Sequence, residues 1–348
     1  MKERNRAIDL LRCMGALAVM IAHADPPDWL FQLRNFGTPL LIVVSALSAA
    51  VVYRDRPLHP GPFLRRRLYK LTVPPWLFLS VFFGAVMAYA HLRHKPFPFT
   101  PHEVLTSYAL NSGIGYVWIF KVYITIALLT PLMMRFKAHA SEATYFGTLA
   151  ALYLGYELLN VVVNARIHDS DVLYFIDDNL MVLAPYAVLF AYGLELERLT
   201  DRQVAAIAAA ALLVFVLMAG TKFVQTGHLI ATQQYKYPPT LYYLSYALFC
   251  VNALYLLSRR SWTARLPQGV IVWMSTHLLW IYLWHIMAIF VWDNTVGPTQ
   301  ERIGPAALKL VTILAFGVAM TWLQSRVANL LLPAHWERPR AFVHSLLG

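Results

Sequence analysis

Arg12 and His23 lie eleven positions apart in the first apolar stretch of this chain. Eleven residues are close to three helical turns, so one helix would carry both side chains on one face, about 16 Å apart along its axis. Ionisable groups within a membrane span are costly and normally face a protein interior or a wet cavity. The pair therefore predicts a polar path through a bilayer, with a titratable imidazole near one end. Asp9 stands three residues before Arg12, the spacing of an ion pair on a helix surface. Gly15, Ala16 and Ala18 allow a second helix to approach closely.

Other apolar stretches carry further polar points. LLWIYLWHIMAIF sets Tyr282 three residues before His285, which makes them neighbours on a helix. A second intramembrane histidine can be a proton relay, a hydrogen-bond partner or a structural tie. GYVWIFKVYITIALLTPL holds Trp118, which suits the aromatic belt of a membrane boundary. Its Lys121 either snorkels to that boundary or lines a cavity. FGTPLLIVVSALSAA places Ser45 and Ser48 three apart. QQYKYPPTLYYLSYAL surrounds Lys236 with aromatic rings, which fit sugars and a membrane belt equally.

FLRRRLYKLTVPPW gathers Arg65, Arg66, Arg67 and Lys70 ahead of a proline pair expected to distort the start of the next span. Arginine grips phosphate bidentately and lysine binds it as a point charge. The same charges also suit simple anchoring on the cytoplasmic side.

The elements that must position these residues are membrane helices. Of the 348 residues 59% are hydrophobic and only 14% charged, and the mean hydropathy is +0.52. A bilayer demands stretches of about 20 apolar residues, and a soluble domain does not. Ten candidate spans are expected, at about 8–24, 36–53, 72–91, 116–135, 143–164, 180–196, 204–223, 241–258, 270–292 and 306–332. The fold class is an all-α polytopic integral membrane protein, one membrane-embedded domain over 1–348, with no separate soluble domain and no internal repeat.

The net charge of +11 does not indicate nucleic acid, because the basic residues sit between spans. With the N-terminus inside, one set of loops holds eighteen Lys and Arg, and the other holds seven: Arg34, Arg93, Lys95, Arg166, Lys222, Lys236 and Arg302. That asymmetry predicts both termini in the cytoplasm. The loop at 165–180, with Asp169, Asp171, Asp177 and Asp178, then falls outside. Cys13 and Cys250 both lie within predicted spans and show no metal-ligand spacing. The first stretch carries Asp9 and Arg12 and lacks the pattern of a cleaved signal.

Taken in order, four of these segments resemble the membrane acyltransferase-3 family of bacterial surface-glycan O-acylating proteins. Arg12, ten residues, then His23 resembles the family's first-span signature. PLLIVVSALSAA resembles its second-span motif, with Ala46 where glycine is usual. RRRLYKLTVPPW resembles its basic loop leading into Pro-aromatic, and IYLWH its late Tyr–His element. The resemblance covers essentially the whole chain. It implies a bacterial inner-membrane O-acyltransferase whose donor is cytoplasmic acyl-CoA, usually acetyl-CoA, with no metal. It implies an acceptor hydroxyl on a glycan or lipid-linked sugar outside, and an essential residue at His23. The partners implied are acyl-CoA, the acceptor and membrane lipids; the chain either completes transfer itself or hands the acyl group to a separate periplasmic transferase, and a homo-oligomer is a further option.

On this reading the polyanionic nucleotide docks at Arg65–Lys70 and the pantetheine arm passes Arg12. His23 then acts as general base on the acceptor hydroxyl or takes the acyl group covalently. Asp9, Ser45, Trp118, Lys121, Lys236, Tyr282 and His285 are the supporting or substrate-binding residues. The alternative is a transporter of a small polar molecule or glycan on the same fold. The other large membrane acyltransferase class ranks third, since no Asn-to-His pair stands at its spacing.

Overall fold

The computed structural model describes residues 5–166 and 170–331. The helices are α1 (Arg6–Ala22), α2 (Asp28–Leu33), α3 (Gly37–Val52), α4 (Pro60–Leu92), α5 (Pro101–Tyr108), α6 (Trp118–His139) and α7 (Glu142–Arg166). They continue with α8 (Asp171–Ile176), α9 (Val182–Glu195), α10 (Asp201–Thr226), α11 (Leu241–Ser258), α12 (Gln268–Thr295) and α13 (Ile303–Leu331). The described residues contain no strand, and the protein is all-α as expected.

Among the described residues, nine helical segments are long and apolar enough to cross a membrane, with α2–α3 and α8–α9 each counted together. The tenth expected span is α1. Its 17 residues stand at the lower limit of about 17 for a spanning helix.

Three expectations need correction. The basic run does not end a loop. α4 begins at Pro60, so Arg65, Arg66, Arg67 and Lys70 lie on the helix itself. Proline at the first helical position costs no hydrogen bond, which lets the helix start there. Nor does the pair Pro74–Pro75 mark the beginning of the span, since α4 runs through both. The 165–180 segment is largely helical. Ser170 accepts a hydrogen bond from the Val172 N–H and starts α8, and a π-helical turn at Asp177–Met181 joins it to α9. Asp171 in that first turn favours a helix N-terminus, so acidic residues that suggested a loop open a helix instead. Asp169 lies outside the described residues, as do Lys2, Arg4, Arg338 and Arg340 of the charge count.

The chain divides into two compact units. Unit 1 comprises 1–22, 28–58 and 129–272, and unit 2 comprises 23–27, 59–128 and 273–348. In unit 1, α3 packs on α1, α9 and α11, and α10 packs on α11. Close approach comes from small residues. A Cβ on Gly15 would meet the Leu41 side chain at 2.9 Å, as the α1 sequence implies. The missing glycine at Ala46 is answered from the facing helix: a Cβ on Gly193 would lie 2.8 Å from both Ala46 Cβ and Val43 O. The glycine that lets α3 and α9 meet belongs to α9.

Unit 2 is bound together by aromatic rings. Phe78 and Phe82 of α4 touch Trp284 and Phe290 of α12, with centroids 5.8 and 5.5 Å apart. Phe83, Phe97 and Phe99 extend the cluster. Gly317 of α13 seats against α12, where a Cβ would lie 2.9 Å from Ile281 O.

Candidate active site

His23 lies in the turn immediately after α1, and so just outside the helix that the spacing predicted. The segment His23–Pro27 belongs to unit 2. Ala24 is buried against Ala288, Ile289 and Ile313, with Tyr116, Leu310 and Phe316 around them.

His23 Nδ1 lies 2.8 Å from His285 Nε2, and the two rings stack with centroids 5.1 Å apart. His285 is fully buried on α12. Its Nδ1 bonds the carbonyl oxygen of Tyr282, one turn earlier. A carbonyl only accepts, so Nδ1 of His285 carries the proton. In the neutral ring Nε2 is then an acceptor, and His23 Nδ1 must donate to it. That chain leaves Nε2 of His23 as its basic nitrogen. A backbone carbonyl thus sets the tautomer of a half-buried imidazole through a second imidazole.

Tyrosines complete the surroundings. The Tyr116 ring meets His23 edge-on at 4.8 Å, and the Tyr282 hydroxyl donates to Tyr116 O at 2.8 Å. The Tyr282 ring lies 4.7 Å from that of His285. Lys121 in α6 donates to Asn111 Oδ1 at 2.6 Å, and Trp118 is half-buried at the start of the same helix.

Two residues beyond His23, Asp25 anchors the turn. Lys309 of α13 has a side chain only 1% exposed, and its ammonium lies 2.6 Å from Asp25 Oδ2 and 2.7 Å from Asp293 Oδ1. The Thr299 hydroxyl donates to Asp25 O at 2.8 Å. Asp25 adopts a left-handed backbone with φ 48°, which aspartate tolerates. Sequence reasoning missed Lys309, Asp293 and Tyr116. Lys309 carried a usable signal, because it interrupts an apolar span as Lys121 does.

The basic run is also in unit 2. Arg65 and Arg66 are exposed on α4, whereas Arg67 and Lys70 are half-buried. An apolar groove of about 450 Å³, lined by Phe97, Phe99, Pro101, Val104, Leu105 and Tyr108, opens elsewhere in this unit.

Arg12 belongs to unit 1, where it is held as its spacing from Asp9 predicted. One guanidinium nitrogen is 3.8 Å from Asp9 Oδ1, and another donates to Ser48 Oγ at 2.7 Å. Ser48 in turn donates to Val44 O at 2.6 Å. Asp9 is buried, and Arg12 is about one-third exposed. Of the two α3 serines, Ser48 holds Arg12, while Ser45 is half-buried one turn earlier. Lys236, also in unit 1, is buried beside Tyr237.

The arrangement is a hydrogen-bonded imidazole pair among apolar helices, which is chemically able to exchange a proton. A family model described as an acyltransferase domain, that of the acyltransferase-3 family, matches residues 5–324. The chain belongs to that family and is a multi-pass membrane acyltransferase. No curated protein and no solved structure matches it.

Proposed function

We propose that this protein is an O-acetyltransferase that moves the acetyl group of cytoplasmic acetyl-CoA to a hydroxyl of a glycan or lipid-linked sugar on the outer side of the bacterial inner membrane. The observation that carries this reading is the chain His23–His285–Tyr282 O. Its geometry suits His23 Nε2 to take the proton of the acceptor hydroxyl. The alkoxide oxygen attacks the thioester carbonyl and forms the new ester bond as the C–S bond breaks. The departing thiolate recovers the proton from the His23 imidazolium and leaves as free CoA. His285 offsets the charge that His23 gains, because its Nε2 accepts the Nδ1 hydrogen bond throughout.

The CoA phosphates are assigned to Arg65, Arg66, Arg67 and Lys70, whose charges suit a polyanion. Arg12 is assigned to turnover on its sequence spacing and on its fixed hydrogen bonds to Ser48 and Asp9. A separate periplasmic partner is part of the proposal only as a recipient of the acetyl group.

The test is the purified protein in liposomes with labelled acetyl-CoA. Thioester consumption that disappears in a folded His23→Ala variant is expected. Solute flux without consumption, or full acetylation by His23→Ala, would overturn the assignment.

A further inference from the structure

A second polar site is built into unit 1, and its charges do not balance. Arg34 lies in the turn between α2 and α3, and Lys236 follows the short helical turn Thr232–Tyr235. Both are more than nine-tenths buried, at 6% and 7% exposure. Their segments are stitched together. Asn35 Nδ2 donates to Thr232 Oγ1 at 3.0 Å, and the Thr232 hydroxyl and Gln233 N–H both reach Gln32 Oε1 at 3.3 Å. The Tyr246 hydroxyl donates to Leu33 O at 2.5 Å.

Neither cation forms an ion pair among the described residues. The groups that act electrostatically on Arg34 are the phenols of Tyr243 and Tyr237, both neutral at ordinary pH. The charge acting on Lys236 is Arg34, a like charge. Phe31 lies under the guanidinium at 3.9 Å, and the Tyr237 ring is 5.2 Å from the ammonium. Ring faces offset part of a buried charge but supply no counter-ion. Arg34 Nε is buried without a hydrogen-bond partner, and so is Thr240 Oγ1, at the position before α11. Tyr243, which neighbours Arg34, stands in the first turn of α11. The positive end of that helix dipole therefore adds to the two cations.

Burying an unpaired charge is costly, so two such cations side by side call for an anion. We infer that Arg34, Lys236 and the N-terminus of α11 form a binding site for a phosphate group. Arginine offers a bidentate fork and lysine a point charge to its oxygens. Burial, and then the Arg34 charge, lowers the Lys236 amine to about 7, and a phosphate bound beside it would favour the protonated form. The group comes either from a soluble phosphorylated ligand or from the headgroup of an anionic lipid. The site does not depend on acyl transfer at His23, and the assay below does not measure it.

The experiment is thermal unfolding of the purified full chain in neutral detergent at constant ionic strength. Inorganic phosphate is one probe, and nanodiscs of phosphatidylglycerol against phosphatidylcholine are the other. Wild type is expected to be stabilised by at least one probe. Stabilisation by inorganic phosphate assigns a soluble ligand, and stabilisation by phosphatidylglycerol alone assigns a lipid. Lys236→Met is expected to weaken the response about tenfold while unfolding later than wild type when no anion is added. Lys236→Arg keeps the response. A wild type indifferent to both probes, or a folded Lys236→Met that responds as wild type does, would overturn the site.

Discussion

Lys309 Nζ lies 2.6 Å from Asp25 Oδ2, and Asp25 is two residues beyond His23. The same ammonium is 2.7 Å from Asp293 on α12, the helix that carries His285. One buried cation thus ties the turn bearing His23 to the helix bearing its partner. That geometry predicts a positioning role for Lys309. Lys309→Met is expected to lower kcat about 10–100-fold with little change in KM for acetyl-CoA, since misplacement by about 1 Å costs that much. A Lys309→Met enzyme with wild-type kcat would refute the role, and recovery of activity in Lys309→Arg would support it.

His285 sets which nitrogen of His23 holds the lone pair. His285→Leu removes the acceptor for His23 Nδ1–H and frees the ring to adopt either tautomer. The expected loss is about 100-fold or more in kcat, within the usual range for general-base catalysis. His285→Gln can still accept that hydrogen bond through its side-chain oxygen and should retain more activity than His285→Leu. Equal losses in the two variants, measured as acetyl-CoA turnover, would show that the hydrogen bond to His23 does not matter.

The helices and the family were legible because each rests on a local signal. Apolar length marks a span, and Arg12 with His23 eleven positions later marks the first motif. The Asp9–Arg12 pair followed from spacing alone and is present at 3.8 Å. His285 was visible as an intramembrane histidine, but its contact with His23 joins positions 262 apart, and no spacing rule reaches that far. Lys309 was visible as a charge in an apolar span, but its contact with Asp25 joins positions 284 apart and was hidden for the same reason. The basic run looked like a loop because charge usually ends a span, yet α4 starts at Pro60 and carries the charges on its own surface. Ala46 shows the limit of reading one helix at a time: the glycine that compensates it is Gly193, on α9.

That compensation can be tested. A Cβ on Gly193 would lie 2.8 Å from Ala46 Cβ and from Val43 O, too close for real contacts. Gly193→Ala is expected to destabilise unit 1 by about 1–3 kcal/mol through overpacking. Adding Ala46→Gly removes the side-chain clash but leaves the Val43 carbonyl in place, so the double variant should recover part of the loss. Unfolding midpoints of the four proteins form a double-mutant cycle. Strict additivity would show that the two helices do not meet at these residues.

Lys236 predicts a pH dependence of stability. Its amine falls from 10.5 to about 7 through burial first and the Arg34 charge second. Between those values the unfolded chain holds the proton and the folded chain does not, so the unfolded state binds more protons and stability rises with pH. Below about 7 both states are protonated and this contribution is flat. The neighbours that face the amine are Arg34, whose own value burial lowers to about 10, and the Tyr237 phenol, whose value burial raises, so the comparison is read between pH 7 and pH 9, where Arg34 keeps its charge. In phosphate-free buffer and phosphatidylcholine, the unfolding midpoint of wild type should therefore climb from pH 7 toward pH 9, and that of Lys236→Met should climb less. Saturating phosphate keeps the amine charged in the folded state and should flatten the wild-type curve. A wild-type slope matched by Lys236→Met would mean that the amine is already neutralised by other means and that Arg34 does not act on it.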